Sequence, residues 1–127
     1  MITATCAGNK KIDLEVSGFT MRTDLPQKLG GENSAPNPVD LFLSSLAACS
    51  ATFAVFYLEK VKLGKEGVSL NLKPSFTSEG MIQSAKITIN IPQDFPEEHE
   101  NGLKTAVEHG KVGKHLTFPR EVVIVRG

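Results

Sequence analysis

Apolar and polar positions alternate over residues 2–7 and again over 12–16, with Gly8-Asn9 between them, which predicts a two-stranded hairpin. A third strand is expected after Gly18, through Phe19, Met21 and Thr23. The alternation then stops. Residues 24–36 contain Pro26, Gly30, Gly31 and Pro36, which break any regular element. A loop of about 13 residues is long for a compact domain, and such loops are often functional.

From residue 41 to residue 58 no position is charged. Asn37 suits a helix cap, Pro38 the first helical position and Asp40 the third, so a helix is expected from Pro38 to about Leu63, ending at Gly64. Its sides are apolar or small all round, including Ser44, Ser45, Ala47, Ala48, Ser50 and Ala51. Such a helix belongs in the core of something larger than one lone chain. Two long strands follow, over 67–77 and 81–91, joined by Ser78-Glu79-Gly80. In the second, Ala85, Ile87, Ile89 and Ile91 share one face. A second helix is expected with Asp94 as its cap and Leu103, Ala106 and Val107 on its apolar side, loosened at its end by Gly110 and Gly113. Residues 121–126 read as a closing strand. The order β-β-β-α-β-β-α-β gives an α+β class in a single domain over residues 1–127.

Composition narrows the partners. Fourteen basic and 14 acidic residues cancel, aromatics are 6%, and Trp is absent, which argues against a nucleic-acid surface. The uncharged run approaches the length of a membrane span, but Ser44, Ser45, Ser50 and Thr52 dilute it and strands flank it. A core helix is expected, with no membrane partner. Met1-Ile2-Thr3 lacks a basic leader and a cleavage-like site, so a cytoplasmic location is expected. Cys6 and Cys49 make neither a disulfide framework nor a zinc pattern, and His99, His109 and His115 are not spaced as ligands; no metal or cofactor is expected.

Cys49 is the residue on which chemistry turns. It is either a small core residue or a nucleophile. About three turns inside its helix, it lies beyond the reach of the macrodipole, and apolar neighbours raise a thiol pKa. Only a nearby cation would make it reactive: Arg22, a lysine, or a group from a second subunit. Arg22 reads equally as a solvated charge at a strand end, Asp40 as a capping residue or as the orienter of a cation, and Cys6 as an ordinary strand residue. Phe56 and Tyr57 read as interface packing, and His109 and His115 as surface residues that flank position 110.

This element order, together with Gly30-Gly31, Pro36-x-Pro38-x-Asp40-Leu41 and Leu46-x-x-Cys49, resembles the OsmC/Ohr family. Asp24-Leu25-Pro26 followed by Gly30-Gly31 is similar to its YhfA-type branch. The resemblance implies an OsmC-like fold, an antiparallel sheet with a long central helix, in an intertwined homodimer with sites at the dimer interface. It implies reduction of organic hydroperoxides by a helix thiolate, resolution by a second cysteine, and recycling by an external thiol such as a dihydrolipoyl group. Cys49 matches the first cysteine. Gly110 stands where the second would be, and Val39 where the family carries a Glu, with Asp40 beside it. Arg22 is the nearest match for the activating Arg. Two functions follow: a hydroperoxide reductase built on Cys49, Arg22 and Asp40 that depends on an external thiol, or a non-redox protein that holds a small apolar ligand or partner at the dimer interface.

Overall fold

The computed structural model describes residues 1–127, which form two compact units, 1–44 and 45–127. The first unit carries strands β1 (Ile2–Cys6), β2 (Ile12–Val16) and β3 (Phe19–Thr23) in an antiparallel sheet of that order. β2 and β3 meet across Ser17-Gly18, both at positive φ (50° and 82°), the conformation a two-residue hairpin requires. Val16 therefore pairs with Phe19, and Asp13 with Arg22. The long loop contains a 3₁₀ turn at Gln27–Leu29 and leads into helix α1 (Pro38–Lys60), whose first turns belong to this unit.

The start of α1 is as the residues dictate. The Asn37 side chain accepts from the Asp40 amide at 2.9 Å, and its amide nitrogen donates to Asp40 Oδ2 at 3.0 Å, a reciprocal cap. Its end differs from expectation. Lys62, not Gly64, takes the left-handed conformation (φ 60°). The Leu63 amide bonds to the Leu58 carbonyl and the Lys62 amide to that of Glu59, which closes the helix in a Schellman turn at Lys60.

The second unit carries the remainder of α1, strands β4 (Ser69–Phe76), β5 (Ile82–Ile91) and β6 (Arg120–Arg126), and helices α2 (Glu100–Glu108) and α3 (Lys111–Lys114). β4 and β5 are antiparallel, but β6 joins β5 in parallel, so this sheet is mixed rather than wholly antiparallel. The cause is the connection: a parallel neighbour needs a crossover of a dozen or more residues, and residues 92–119 supply one with α2 and α3 inside it. Asp94 does not cap α2. Pro92–Phe95 close a turn, Pro96 is extended, and a 3₁₀ turn at Glu97–His99 precedes the helix proper. Gly110 and Gly113 do more than loosen a helix end, since Gly110 caps the separate turn α3 and Gly113 lies within it.

The core gathers the period-two face of β5 (Ala85, Ile87, Ile89 and Ile91) against Leu103 and Val107 of α2, Val122 of β6, Phe95, and Leu46, Ala54 and Leu58 of α1. Each fully buried Ile or Leu contributes about 1.5–3 kcal/mol relative to its exposed state. α1 presents a strict four-residue stripe to the interior: Leu46, Ser50, Ala54 and Leu58 are all at most 2% exposed. Within one chain the helix is not buried on all sides: Phe42, Ala48, Thr52 and Phe56 are exposed, Phe56 at 56%. α1 is long and apolar enough to cross a membrane by length and composition, yet its buried stripe marks it as the core helix of a folded domain.

Candidate functional site

Cys49 sits at mid-helix, one residue before the buried Ser50 and three before the exposed Thr52, and is accordingly half-buried with a free thiol. The turn from α2 into α3 is laid against it. A Cβ placed on Gly110 falls 3.6 Å from Cys49 Sγ and 3.5 Å from the Val107 carbonyl oxygen, ordinary contact distances. Position 110 is thus the immediate neighbour of the sulfur, and it is buried and without a side chain. A Cβ at 110 lies 3.6 Å from Cys49 Sγ, and a disulfide spans only about 2 Å between its sulfurs, so a thiol at 110 would lie next to that of Cys49.

The same short turn holds a second chemical group. A Cβ on Gly113 would overlap the guanidinium of Arg120, with Cζ 2.5 Å away. Arg120 opens β6 opposite the buried Ala85, and Arg120, Val122 and Ile124 share one face of the strand. Its Nη1 is shut off from solvent and has no hydrogen-bond partner. The other arginines are engaged. Arg22 donates to Asp13 through Nε at 2.6 Å and Nη2 at 2.9 Å, and Arg126 binds Glu100 and the carbonyls of Gln93 and Phe95.

The remaining sequence candidates take the following places. Arg22 is a half-exposed strand residue locked to its cross-strand partner; its guanidinium holds the Asp13 carboxyl below the usual range. Asp40 is exposed and committed to the helix cap. Cys6 is an exposed β1 residue opposite Ile12. His109 and His115 are exposed, each with Nδ1 on the backbone carbonyl four residues earlier. The Tyr57 hydroxyl meets His99 Nδ1 at 2.9 Å and occupies the space left by Gly102.

The long loop has a structural organiser that sequence reading passed over. Asp24, 1% exposed, accepts from the amides of Leu25 (2.8 Å), Glu32 (3.3 Å) and Ser34 (3.1 Å) and from the Ser34 hydroxyl (2.6 Å). These donors, led by Ser34 Oγ, lower its pKa to about 2. Gly31 lies so close to the Leu25 carbonyl that no side chain fits there, and Gly30 is left-handed at φ 90°. Asp24-x-Pro26 with Gly30-Gly31 is therefore a loop-closing motif. Arg120 was also missed, though period two from Val122 puts it on the core-facing side, an unusual place for an arginine.

Comparison with known proteins agrees with this fold. The OsmC-like protein family model matches residues 31–122. Among curated proteins none matches the sequence. Three solved structures share the fold. One is an osmotic stress induced and detoxification response protein from Psychrobacter arcticus: TM-score 0.84, 19% identity, covering 98% of this chain and 94% of that one. Another is an OsmC-like protein from Mycoplasma pneumoniae: TM-score 0.80, 14% identity, covering 99% and 95%. The third is an organic hydroperoxide resistance protein OsmC from Legionella pneumophila: TM-score 0.70, 19% identity, covering 98% and 94%. Since the family model spans most of the chain, from the Gly31 turn through α1 and Cys49 into β6, the protein belongs to the OsmC-like family.

Proposed function

We propose that the protein is a thiol-dependent reductase of organic hydroperoxides, acting in the cytoplasm as a homodimer, with Cys49 as its nucleophile. The Cys49 thiolate attacks the distal peroxide oxygen. The O–O bond breaks, the alcohol leaves after taking up a proton, and Cys49 becomes a sulfenic acid. An external thiol then attacks that sulfur, releasing water and leaving a mixed disulfide. A second thiol frees Cys49 and departs as the oxidised disulfide. The observation that carries this reading is the contact of Cys49 Sγ with the bare position 110. With glycine there, the neighbouring position offers no thiol, so resolution falls to an outside reductant. Family membership and relatives described as organic hydroperoxide resistance proteins support the substrate class.

The dimer is supported by α1. Phe42 and Phe56 are 45% and 56% exposed on a helix whose intervening exposed residues are small, a surface suited to close approach by a second copy. One observation favours the non-redox alternative, a binder of a small apolar ligand or partner: Arg22 is committed to Asp13 and position 39 is Val39.

The test is consumption of cumene hydroperoxide with dithiothreitol or dihydrolipoamide, in wild type and Cys49→Ser. Turnover lost in the variant supports the reductase. Absence of turnover in both, with no sulfenic acid trapped by dimedone after one peroxide dose, leaves the binding reading.

A further inference from the structure

We propose that the cleft at one end of the β4-β5-β6 sheet binds a small oxyanion of the phosphate class, held by Lys73 and Lys86 together with the hydroxyl pair Ser75–Ser84. The site stands apart from Cys49 and does not depend on what that thiol does.

The strand pattern places it. Ala85 and Ile87 of β5 are in the core, and Ser84 and Lys86 alternate with them, so they turn the other way. The register pairs Lys73 with Lys86 and Ser75 with Ser84. The four side chains therefore leave the sheet side by side, on the face turned from the core. The pairing shifts between Ser75 and Phe76, an irregularity of the kind that bends a strand and re-aims its side chains. These residues line a cleft of about 290 Å³. Pockets for drug-sized ligands run from about 300 to 1,000 Å³, so this one suits a small ion.

Three observations supply charge and donors. First, Lys73 and Lys86 are like charges directly opposed, an arrangement that destabilises a sheet on its own, and neither forms an ion pair. A lysine on the edge strand β4 guards against strand addition, but β5 is the central strand, and edge protection does not account for Lys86. Second, the Ser75 and Ser84 hydroxyl oxygens are 2.6 Å apart. One donates to the other, and the hydrogen of the second is left to donate into the cleft. Third, Arg120 also lines the cleft, and its guanidinium rests against position 113 with Nη1 closed off from water and unbonded. It adds a positive charge that solvent screens poorly, rather than a contact. Glu121, opposite Lys86 on β6, is the one carboxylate of the lining and forms no ion pair. Three cations against one carboxylate leave the cleft at +2, on a chain whose net charge is zero.

A multivalent oxyanion between the two ammonium groups removes their repulsion and accepts the spare hydroxyl hydrogen. The next cross-strand row on the same face, Asn71 with Thr88 and Val123, is neutral. The charge is thus confined to an ion-sized spot and does not extend to the length of a nucleic acid or the area of a bilayer.

The experiment is titration of isotope-labelled protein, followed by amide NMR, with inorganic pyrophosphate and separately with methyl phosphate, against sodium chloride at matched ionic strength. The variants are Lys73→Gln, Lys86→Gln, the double variant, and Lys60→Gln as a control on the same unit; all three positions are exposed, and near-UV circular dichroism confirms each fold. Shifts at residues 73–75 and 84–86 saturate with the phosphates and not with chloride. Each single cleft variant weakens Kd by about fivefold, the double variant no longer saturates, and Lys60→Gln matches wild type. Tighter binding of pyrophosphate identifies a free inorganic ion as the occupant, and tighter binding of methyl phosphate a phosphate ester. No saturation beyond the chloride control overturns the inference, as does an unchanged Kd in the double variant or an equal loss in Lys60→Gln.

Discussion

The loop over 24–34 buries the Asp24 carboxylate and the segment over 110–120 buries one nitrogen of the half-buried Arg120, and they treat these polar groups in opposite ways. Asp24 meets four donors, three from the backbone, and every one of them is tied to the shape of its loop. Arg120 leaves Nη1 bare beside a glycine. A charge that is fully satisfied stabilises a conformation. A buried donor left unsatisfied lowers stability. The first region gains stability from its buried charge, and the second loses some.

The largest expected effect comes from filling the open neighbour of the sulfur. Gly110→Cys forms a disulfide with Cys49 on mild oxidation. The long closed loop then stabilises the oxidised protein by about 4 kcal/mol over the reduced form in urea unfolding. Failure to form the bond would mean that positions 49 and 110 are not the neighbours described here.

Asp24→Ala strips the acceptor from four donors at once. Proteolysis within 24–36 is expected to accelerate by at least about tenfold as the loop opens locally. The pH dependence has a definite sign. The folded pKa of about 2 lies below the unfolded value of about 3.9. The unfolded chain therefore binds more protons between them, and stability rises with pH. The Asp24 contribution is complete above about pH 4 and is lost as pH falls through about 2. Asp24→Asn should abolish that part of the acid limb in denaturation measured from pH 2 to pH 6.

Gly113→Ala should destabilise by about 1–3 kcal/mol, the range of overpacking, and the cost should largely vanish when Arg120 is first changed to Ser. Arg120→Met should raise stability by about 1 kcal/mol, since it removes an unsatisfied buried donor. A gain there beside a loss at Asp24 is the comparison in its sharpest form; a loss at both would show that Arg120 is structural. Smallest is Arg22→Gln. The exposed pair with Asp13 contributes little, so the denaturation midpoint should stay where it is.

What could be read in advance divides along the same physical line. The three N-terminal strands, the cap at Asn37 and the inward face of β5 follow from local patterns, and each lies within a residue or two of its expected place. The position of Cys49 on α1 was equally legible. The end of α1 was not, because a Schellman turn at Lys62 made Gly64 unnecessary. Nor was the parallel pairing of β6, which depends on how a crossover of 28 residues packs, the span from 92 to 119. Arg22 was named because nearness in a motif is visible in a sequence, and its commitment to Asp13 is not.

By itself the sequence determined the strand periodicities, the hairpin turn at Ser17-Gly18, the cap at Asn37 and a thiol in mid-helix, because each depends on residues a few positions apart. Only the tertiary structure decided which groups are paired and which stand bare. The contact of Cys49 with Gly110 joins positions 61 apart, and that of Gly113 with Arg120 depends on how the turn α3 folds back on β6; no local pattern carries either.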